Sequence, residues 1–383
     1  MDALNFMNQQ MLERNRISRT FFASESLRLA QACHAMSERF LNGGRLLAFG
    51  QGAYATDAQH VSVEFVHPVI VGKRALPALD LSFAFEAMLE CLVQPEDIVM
   101  GFAAPTGDQA VQAALEKARL RGAMTFALPG LEADYAVASP SSDPFIHQEL
   151  IEILYHTLWE TVHVFLEHGS TGEDVGAASF LYPFLGGAKQ DTNALIGEVS
   201  ESIIAKALED EELREIVVAR DSSQMLAAAV AIRQRLELGG KIITLGNGGS
   251  ATDANDLMLD CVSAPNGLTP IPAISLSLEP ANITAIANDV GTELIFVRQL
   301  IAQAKTQDVV VAISTSGGSR NLILALEEAR KRKLLTVALL GRDGGEVMAR
   351  ELADFAFTVP SEHIPRVQEI QAFIYHVLRK LIL

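Results

Sequence analysis

The chain has 383 residues, which is long enough for two domains, and 49% of them are hydrophobic, as in a globular protein. Its formal net charge of −17 at pH 7 argues against a nucleic-acid partner. Its apolar runs are shorter than the roughly 18 residues that a membrane span needs, and the polar residues 1–18 are unlike a signal peptide. Cys33, Cys91 and Cys261 are too few for a disulfide framework, which fits the reducing cytoplasm. Together these features predict a cytoplasmic protein with neither membrane nor nucleic-acid partners.

Apolar runs of strand length alternate with amphipathic segments along most of the chain, which predicts an α/β fold with a parallel sheet covered on both faces. Long helices are predicted at 1–42 and 191–240. The predicted strands are 45–49, 69–72, 76–81, 97–103, 123–128 and 134–138, then 241–245, 272–276, 308–313, 334–339 and 354–358. The predicted helices between them are 55–66, 84–93, 107–121 and 144–167, then 251–263, 280–287, 291–305, 318–332 and 363–382.

Two parts of the chain repeat the same pattern. Residues 50–60 and 246–256 both run from a glycine-rich turn after an apolar strand into a helix, and residues 115–119 match 326–330 further on. This similarity predicts a tandem duplication. We expect a first domain at 1–170, a linker at 171–190 and a second domain at 191–383.

The second copy has a turn that suits an anion. The segment Ser314-Thr315-Ser316-Gly317-Gly318-Ser319 joins a buried strand to a helix, at the end of a parallel strand where such sheets bind ligands. A simple hydroxyl-rich helix cap is the alternative. The first copy has Ala103 to Asp108 instead, which lacks the serines and adds a carboxylate, so we expect that turn not to hold a phosphate.

The first copy has a candidate metal set. His60 and Glu64 lie four residues apart and Gln148 and His156 eight apart, so each pair shares one helix face. Two imidazoles, a carboxylate and an amide oxygen suit Zn²⁺ or another divalent ion, although this spacing also fits structural histidines. Glu64 and His156 could each relay a proton. The equivalent positions of the second copy form a weaker metal set: Asp256, Asp260, Gln368 and His376.

Both copies resemble sugar isomerase (SIS) domains, most closely those of the phosphoheptose isomerase family. The resemblance rests on Gly-Asn-Gly-Gly-Ser at 246–250, the serine-rich turn at 314–319, the pair Asn288-Asp289 and the pattern from Gln368 to His376. It implies an α/β fold of two tandem SIS domains, each a flavodoxin-like parallel sheet flanked by helices. It also implies isomerisation between aldose and ketose, with sedoheptulose 7-phosphate as the model substrate.

The same resemblance implies roles for individual residues. Zinc or another divalent metal would be held by His60, Glu64, Gln148 and His156, with Glu64 as the base and His156 as the acid of an enediol reaction. The phosphorylated sugar would be bound by Asn247, Ser250, Asp289, Ser314, Thr315, Ser316 and Ser319. Since the family assembles four SIS domains, two copies of this chain are expected to form a homodimer that mimics a tetramer.

Neither copy has both sets of residues, and this leaves more than one functional interpretation. The copies could complement each other across a domain or subunit interface. Alternatively, catalysis has been lost and the chain is a sugar-phosphate-binding regulator or a protein-binding SIS adaptor. A tandem SIS enzyme like the isomerase half of glucosamine-6-phosphate synthase is less favoured, because the motifs are of the heptose type.

Overall fold

The structure, a computed structural model, describes residues 3–68, 73–130, 132–169, 192–265 and 267–382. It contains two compact units: an N-terminal unit of residues 14–209, and a C-terminal unit of residues 1–13 with 210–383. The strand predicted at 69–72 and the linker predicted at 171–190 lie outside the described residues, and the division into domains 1–170 and 191–383 stays a prediction. Among the described helices, none is long and apolar enough to cross a membrane.

The N-terminal unit is built on a five-stranded sheet of order β2-β1-β3-β4-β5, in which every pairing is parallel. Its strands are β1 (Leu46–Gly50), β2 (Ala78–Asp80), β3 (Ile98–Phe102), β4 (Met124–Leu128) and β5 (Tyr135–Ala136). Its helices are α2 (Tyr54–Val66), α3 (Phe85–Leu92), α4 (Gln109–Leu120) and α5 (Pro144–Gly169), with parts of α1 (Ala3–Leu41) and α6 (Thr192–Glu237).

Alternation along the central strands explains why helices cover both faces of this sheet. Leu46 and Ala48 of β1 pack into one core cluster with side chains of α1, α2 and α5. Leu47 and Phe49 point to the opposite face and pack with side chains of α3 and α4. Successive side chains of a strand point to opposite faces, so a strand that is apolar throughout needs cover on both. The apolar run that predicted β1 therefore also predicted helices on both faces of the sheet.

The C-terminal unit repeats the architecture with a parallel sheet of order β7-β6-β8-β9-β10. Its strands are β6 (Ile242–Leu245), β7 (Ala273–Ser275), β8 (Val309–Ser314), β9 (Leu335–Gly341) and β10 (Phe355–Val359). Its helices are α7 (Gly249–Val262), α8 (Pro280–Asp289), α9 (Ile295–Gln303), α10 (Arg320–Lys331), α11 (Gly345–Ala349) and α12 (Ile364–Leu381). Both sheets have the same strand order.

The second copy contains a segment that the first lacks. In the first copy only Phe83 and Ala84 separate the turn serine, Ser82, from α3. In the second, α8 and a 3₁₀ turn at Thr292–Leu294 stand between the equivalent Ser277 and α9. The single helix predicted at 291–305 is thus a 3₁₀ turn followed by α9, and α11 was not predicted.

The strand order places two turns of each sheet side by side. In each unit the order reverses between the first and third strands in sequence, and the carboxyl ends of strands at such a point form the usual ligand crevice. β1 pairs with β3 up to Gly50 and Phe102. β6 pairs with β8 up to Leu245 and Ala312. The glycine turn and the following strand's turn are therefore neighbours in each unit.

Candidate functional site

The turn that opens each crevice needs glycine for steric reasons. A Cβ on Gly50 would lie 2.2 Å from the carbonyl oxygen of Tyr54, and one on Gly246 would lie 2.1 Å from that of Ser250. The backbone N–H of each glycine donates to a serine hydroxyl at 3.1 Å, from Gly50 to Ser82 and from Gly246 to Ser277. Both copies have kept this framework, so their differences lie in the side chains it presents.

Three of the predicted metal ligands meet in the N-terminal unit, and we call His60, Glu64 and His156 the histidine cluster. α2 contributes His60 and Glu64, and α5 contributes His156. The Nε2 atoms of the two histidines are 3.3 Å apart, and His60 Nε2 is 3.8 Å from Glu64 Oε1. All three side chains are at least 98% buried. The i,i+4 spacing thus predicted the contact on α2 correctly.

The geometry of the histidine cluster fits a divalent ion. A tetrahedral zinc with bonds of about 2.0–2.1 Å holds two nitrogens about 3.3 Å apart, which matches the distance between His60 and His156. One ligand atom from each of the three residues lies within 4.8 Å of the others. Glu64 Oε2 is buried and accepts no hydrogen bond from the described residues. A bound cation would give this oxygen the partner that it lacks among the described residues.

Gln148, the fourth predicted ligand, is buried on α5 beside the start of α2. Its amide nitrogen lies 3.4 Å from both Thr56 Oγ1 and Asp57 Oδ2. These long contacts hold the amide against the first turn of α2. Neither Thr56 nor Asp57 was predicted as a site residue, although both belong to the repeated segment.

Burial sets the charge of the histidine cluster. It raises the pKa of Glu64 to about 8, and the nearby carboxylate of Glu160 acts in the same direction. Burial also lowers the pKa of His60 well below its usual value, with a smaller contribution from His156. Without a cation, Glu64 and His60 are therefore largely uncharged at neutral pH. A bound cation would favour ionised Glu64 and neutral imidazoles, which are the ligating forms.

Two buried ion pairs each use a glutamate of α5, one before and one after His156 in the sequence. Arg14 donates from Nε and Nη2 to the carboxylate of Glu149 at 2.7 and 2.8 Å. Lys206 pairs with Glu160, the group that also raises the pKa of Glu64. Sequence reasoning did not identify these pairs, because their members lie more than 40 positions apart and have no motif.

The weaker metal set of the C-terminal unit forms a different cluster. His376 Nε2 lies 3.1 Å from Asp260 Oδ2 and 3.5 Å from Asp256 Oδ2. The hydroxyl of Tyr375 donates to Asp256 Oδ2 at 2.7 Å. Burial and the neighbouring Asp256 raise the pKa of Asp260 to about 7. Gln368 is buried on the same helix as His376. One imidazole replaces the two of the histidine cluster, so this set is poorer in nitrogen ligands.

The serine-rich turn, which we call the serine loop (314–319), ends at the N-cap residue of α10, whose side chain does not cap the helix. The hydroxyl of Ser314 accepts from the N–H groups of Ser316 and Gly317, at 3.4 and 3.1 Å. Ser319 occupies the N-cap position but makes no side-chain hydrogen bond to the helix. The positive end of the α10 dipole therefore has no carboxylate cap from the N-cap residue, which favours an anion at this helix start.

A set of glycines supports the serine loop from behind. Gly317 has φ +62°, and a Cβ there would lie 2.0 Å from the carbonyl oxygen of Gly344. A Cβ on Gly345 would lie 2.3 Å from the carbonyl oxygen of Ser316, and one on Gly341 2.3 Å from that of Thr315. The turn after β9 is thus part of the loop's support, which a search for hydroxyl-rich motifs does not find.

The corresponding turn of the N-terminal unit is capped by its own carboxylate. Asp108 Oδ1 accepts from the N–H groups of Ala110 and Val111, at 2.8 and 3.0 Å. This carboxylate occupies the helix start where the C-terminal unit offers hydroxyls. A cleft of about 530 Å³ beside it is lined by Asp108 and Glu132. The first copy therefore has an acidic, internally capped turn where the second has the serine loop.

The remaining predicted sugar ligands occupy three places in the C-terminal unit. Asn247 is exposed in the glycine turn and pairs with Asn321, a residue that sequence reasoning missed. Ser250 is buried in the first turn of α7. Asp289 is exposed at the end of α8, where its carboxylate accepts from Asn288 at 2.8 Å. Its described hydrogen bond is therefore to its neighbour and not to the serine loop.

Comparisons with known proteins identify both a domain family and similar sequences. The SIS domain model matches residues 209–341. A phosphoheptose isomerase from a Nitratiruptor species is 40% identical over 183 residues, covering 48% of this chain and 97% of that protein. That of Thermodesulfovibrio yellowstonii is 40% identical over 184 residues, covering 48% of this chain and 90% of that protein.

A solved structure also matches nearly the whole chain. The C-terminal domain of glucosamine-fructose-6-phosphate aminotransferase from Francisella tularensis has a TM-score of 0.58 and covers 98% of this chain and 95% of that chain. At 10% identity this likeness concerns the fold alone. It extends over both units, whereas the more similar sequences span about half of the chain.

Proposed function

We propose that this chain, which belongs to the phosphoheptose isomerase family of SIS domain proteins, interconverts the aldose and ketose forms of a phosphorylated sugar. The predicted fold of two tandem SIS domains is confirmed by the two parallel sheets and by the whole-chain structural match. The observation that carries the functional proposal is the serine loop, in which the N-cap residue Ser319 makes no side-chain hydrogen bond to the helix. A seven-carbon ketose phosphate such as sedoheptulose 7-phosphate is the proposed substrate.

We assign phosphate binding to the serine loop of the C-terminal unit. The hydroxyls of Ser314, Thr315, Ser316 and Ser319 and the dipole of α10 supply donors and positive potential. The contrast with Asp108 supports this assignment, because the first copy places a carboxylate at the same helix end. Asn247, Ser250 and Asp289 are the proposed sugar ligands.

We assign proton transfer to the N-terminal unit. Glu64 would remove a proton from the carbon beside the carbonyl, and His156 would give a proton to the carbonyl oxygen. Reversal of these steps at the neighbouring carbon turns the enediol into the isomer. Burial of both side chains supports this role, since proton transfer to carbon is favoured where water is excluded.

A divalent ion fits the same unit. His60, Glu64, Gln148 and His156 are the residues that would hold it, and zinc suits two imidazoles with a carboxylate. Such an ion would polarise the carbonyl oxygen and so make the neighbouring C–H more acidic. Glu64 Oε2 accepts no hydrogen bond from the described residues, which leaves this oxygen available to a cation or to the substrate.

The proposal is tested by incubating zinc-loaded protein with sedoheptulose 7-phosphate and following the sugar by NMR. We expect an aldose product, and Glu64→Gln should abolish its formation while inorganic phosphate still binds. The matched control is Glu90→Gln, because Glu90 is exposed on α3 in the same unit. Absence of product from the wild type, or turnover by Glu64→Gln equal to wild type, would sink the assignment.

Phosphate binding is tested separately with Ser319→Ala. Since the Ser319 side chain makes no cap hydrogen bond, its removal should weaken phosphate binding without lowering stability. Thr106→Ala in the capped turn of the first copy is the control and should change neither property. Unchanged phosphate affinity in Ser319→Ala would remove this residue from the proposed site.

A non-catalytic sugar-phosphate-binding protein, acting as a regulator or as an adaptor for another protein, is the second candidate. It is favoured by one observation: the histidine cluster and the serine loop belong to different compact units. This candidate predicts that sugar phosphate binds with the affinity of a specific ligand and is recovered unchanged, with or without zinc. Product formation by the wild type would exclude it.

We further propose that the chain forms a homodimer with four SIS domains. Light scattering of the full chain should give twice the monomer mass of 41.3 kDa. A monomeric mass across the working concentration range would contradict this proposal.

A further inference from the structure

We propose that Asn321 is a positioning residue that orients Asn247 for the sugar and ties the glycine turn to the helix behind the serine loop. This inference deepens the proposed function and rests on it, because it concerns how the same site recognises the part of the substrate beyond its phosphate. The side chain of Asn321 is bonded to Asn247, so its effect on the sugar passes through that residue. It is not one of the residues that the sequence motifs single out.

The two amides form a closed pair. Asn247 Nδ2 donates to Asn321 Oδ1 at 3.0 Å, and Asn321 Nδ2 donates back to Asn247 Oδ1 at 2.9 Å. Reciprocal bonds of this kind fix the plane of both amides at once, which a single hydrogen bond does not. The N–H of Leu322 also donates to Asn321 Oδ1 at 2.9 Å, so the orientation of Asn321 is set by the first turn of α10.

The pair leaves Asn247 able to bind a ligand. A primary amide has two N–H donors and an oxygen with two lone pairs, and the pair uses one of each. The second N–H and the second lone pair of Asn247 therefore remain, in directions that Asn321 fixes. A donor and an acceptor on one planar group match a sugar hydroxyl, which can itself donate and accept. Since Asn247 is exposed, these groups can reach solvent and ligand.

The internal repeat supports a shared role for the two residues. Gln51 occupies the position of Asn247 in the first copy, and Ala110 occupies that of Asn321. Ala110 has no amide, so it cannot form such a pair with the side chain of Gln51. Both members are thus absent from the copy whose turn is capped by Asp108, and both are present in the copy with the serine loop.

The pair also connects two parts of the crevice. Asn247 lies between Gly246 and Gly248 in the turn after β6, and Asn321 lies two residues after Ser319 in the helix that follows β8. Fixing one against the other sets the distance from the sugar-binding amide to the phosphate-binding loop. A sugar of one length then satisfies both ends, so the pair contributes to selection among phosphorylated sugars.

The experiment uses the full chain and two probes, inorganic phosphate and sedoheptulose 7-phosphate, titrated calorimetrically. The variants are Asn321→Ala, Asn247→Ala and the double variant. Since the pair fixes two neutral hydrogen-bonding groups, we expect Asn321→Ala to weaken sugar-phosphate binding about tenfold and to leave inorganic phosphate within about twofold. The double variant should bind no more weakly than Asn247→Ala alone. In turnover, KM should rise with little change in kcat.

Controls separate positioning from general destabilisation. Gln112→Ala removes an amide from the first turns of the equivalent helix α4 and should change neither affinity. Asn321→Ser can still accept from the helix N–H but cannot form the pair, so it carries the test if Asn321→Ala lowers the melting temperature.

Each outcome decides one point. Equal loss of affinity for both probes in the Asn321 variants, or no loss for either, overturns the positioning role and leaves the proposed function standing. A double variant much weaker than Asn247→Ala overturns the claim that Asn321 acts through Asn247. Failure of the wild type to bind the sugar phosphate at all overturns the proposed function, and this inference with it.

Discussion

Replacement of Gly317 by alanine tests the serine loop without removing any hydroxyl. The residue has φ +62°, a left-handed conformation that costs alanine about 1–2 kcal/mol. Its new Cβ would also lie 2.0 Å from the carbonyl oxygen of Gly344, a backbone atom that cannot rotate away. Overpacking of this kind costs about 1–3 kcal/mol. We therefore expect Gly317→Ala to lower the free energy of unfolding by about 1–4 kcal/mol once the loss of unfolded-state freedom is counted.

The matched control is Gly107→Ala in the equivalent turn of the first copy. Gly107 has φ +77°, but a Cβ there would meet no atom within 4 Å. This variant isolates the conformational cost, which we expect to be about 1 kcal/mol after the loss of unfolded-state freedom is counted. The difference between the two variants measures the contact between the serine loop and the turn after β9.

Two measurements follow each variant. Urea unfolding gives the change in stability, and hydrogen exchange read by peptide locates it in the chain. Calorimetry with inorganic phosphate shows whether the loop still binds. Gly317→Ala should speed exchange around β8 and β9 and abolish phosphate binding, whereas Gly107→Ala should leave phosphate binding unchanged. Equal stability of the two variants, with phosphate binding retained in both, would refute the account of how the loop is held.

Three further perturbations test the N-terminal unit. Asp108→Ala removes the α4 cap and should cost about 1 kcal/mol in urea unfolding, with phosphate affinity unchanged; gain or loss of phosphate binding would contradict the division between the copies. Arg14→Met removes the guanidinium that donates twice to the buried Glu149 and should cost about 3–5 kcal/mol, most of it recovered in the double variant with Glu149→Met; no recovery would show that this contact is not the cause. Burial lowers the folded-state pKa of His163, so the unfolded state binds more protons and stability should fall as pH drops below about 6.5. His163→Gln should weaken that fall, as followed by Trp159 fluorescence, and an identical pH profile would contradict it.

Strand positions and layers could be predicted because each depends on local pattern. A run such as Asp308 to Ile313 is apolar after its first residue and rich in valine, which is typical of a strand covered on both faces. The serine loop could likewise be picked out from local sequence, since its hydroxyls and glycines lie within six consecutive residues. The contact of His60 with Glu64 could be predicted from their i,i+4 spacing on a helix alone.

What could not be predicted depends on which elements become neighbours. The pair of Asn247 with Asn321 joins two turns 74 positions apart, and either asparagine alone is an ordinary turn residue. Asp108 caps α4 by accepting from the N–H groups of Ala110 and Val111, a contact that the sequence analysis did not predict. Gly344 and Gly345 support the loop from a turn whose sequence gives no sign of this contact.

The most direct test of the central claim is deuterium exchange at the substrate carbon. If Glu64 removes a proton from the carbon beside the carbonyl, wild-type protein in D₂O should place solvent deuterium in the recovered sugar phosphate, as seen by NMR and mass spectrometry. Glu64→Gln should incorporate none, while its affinity for inorganic phosphate equals that of the wild type. Recovery of substrate without deuterium from the wild type, under conditions where it binds, would contradict the account.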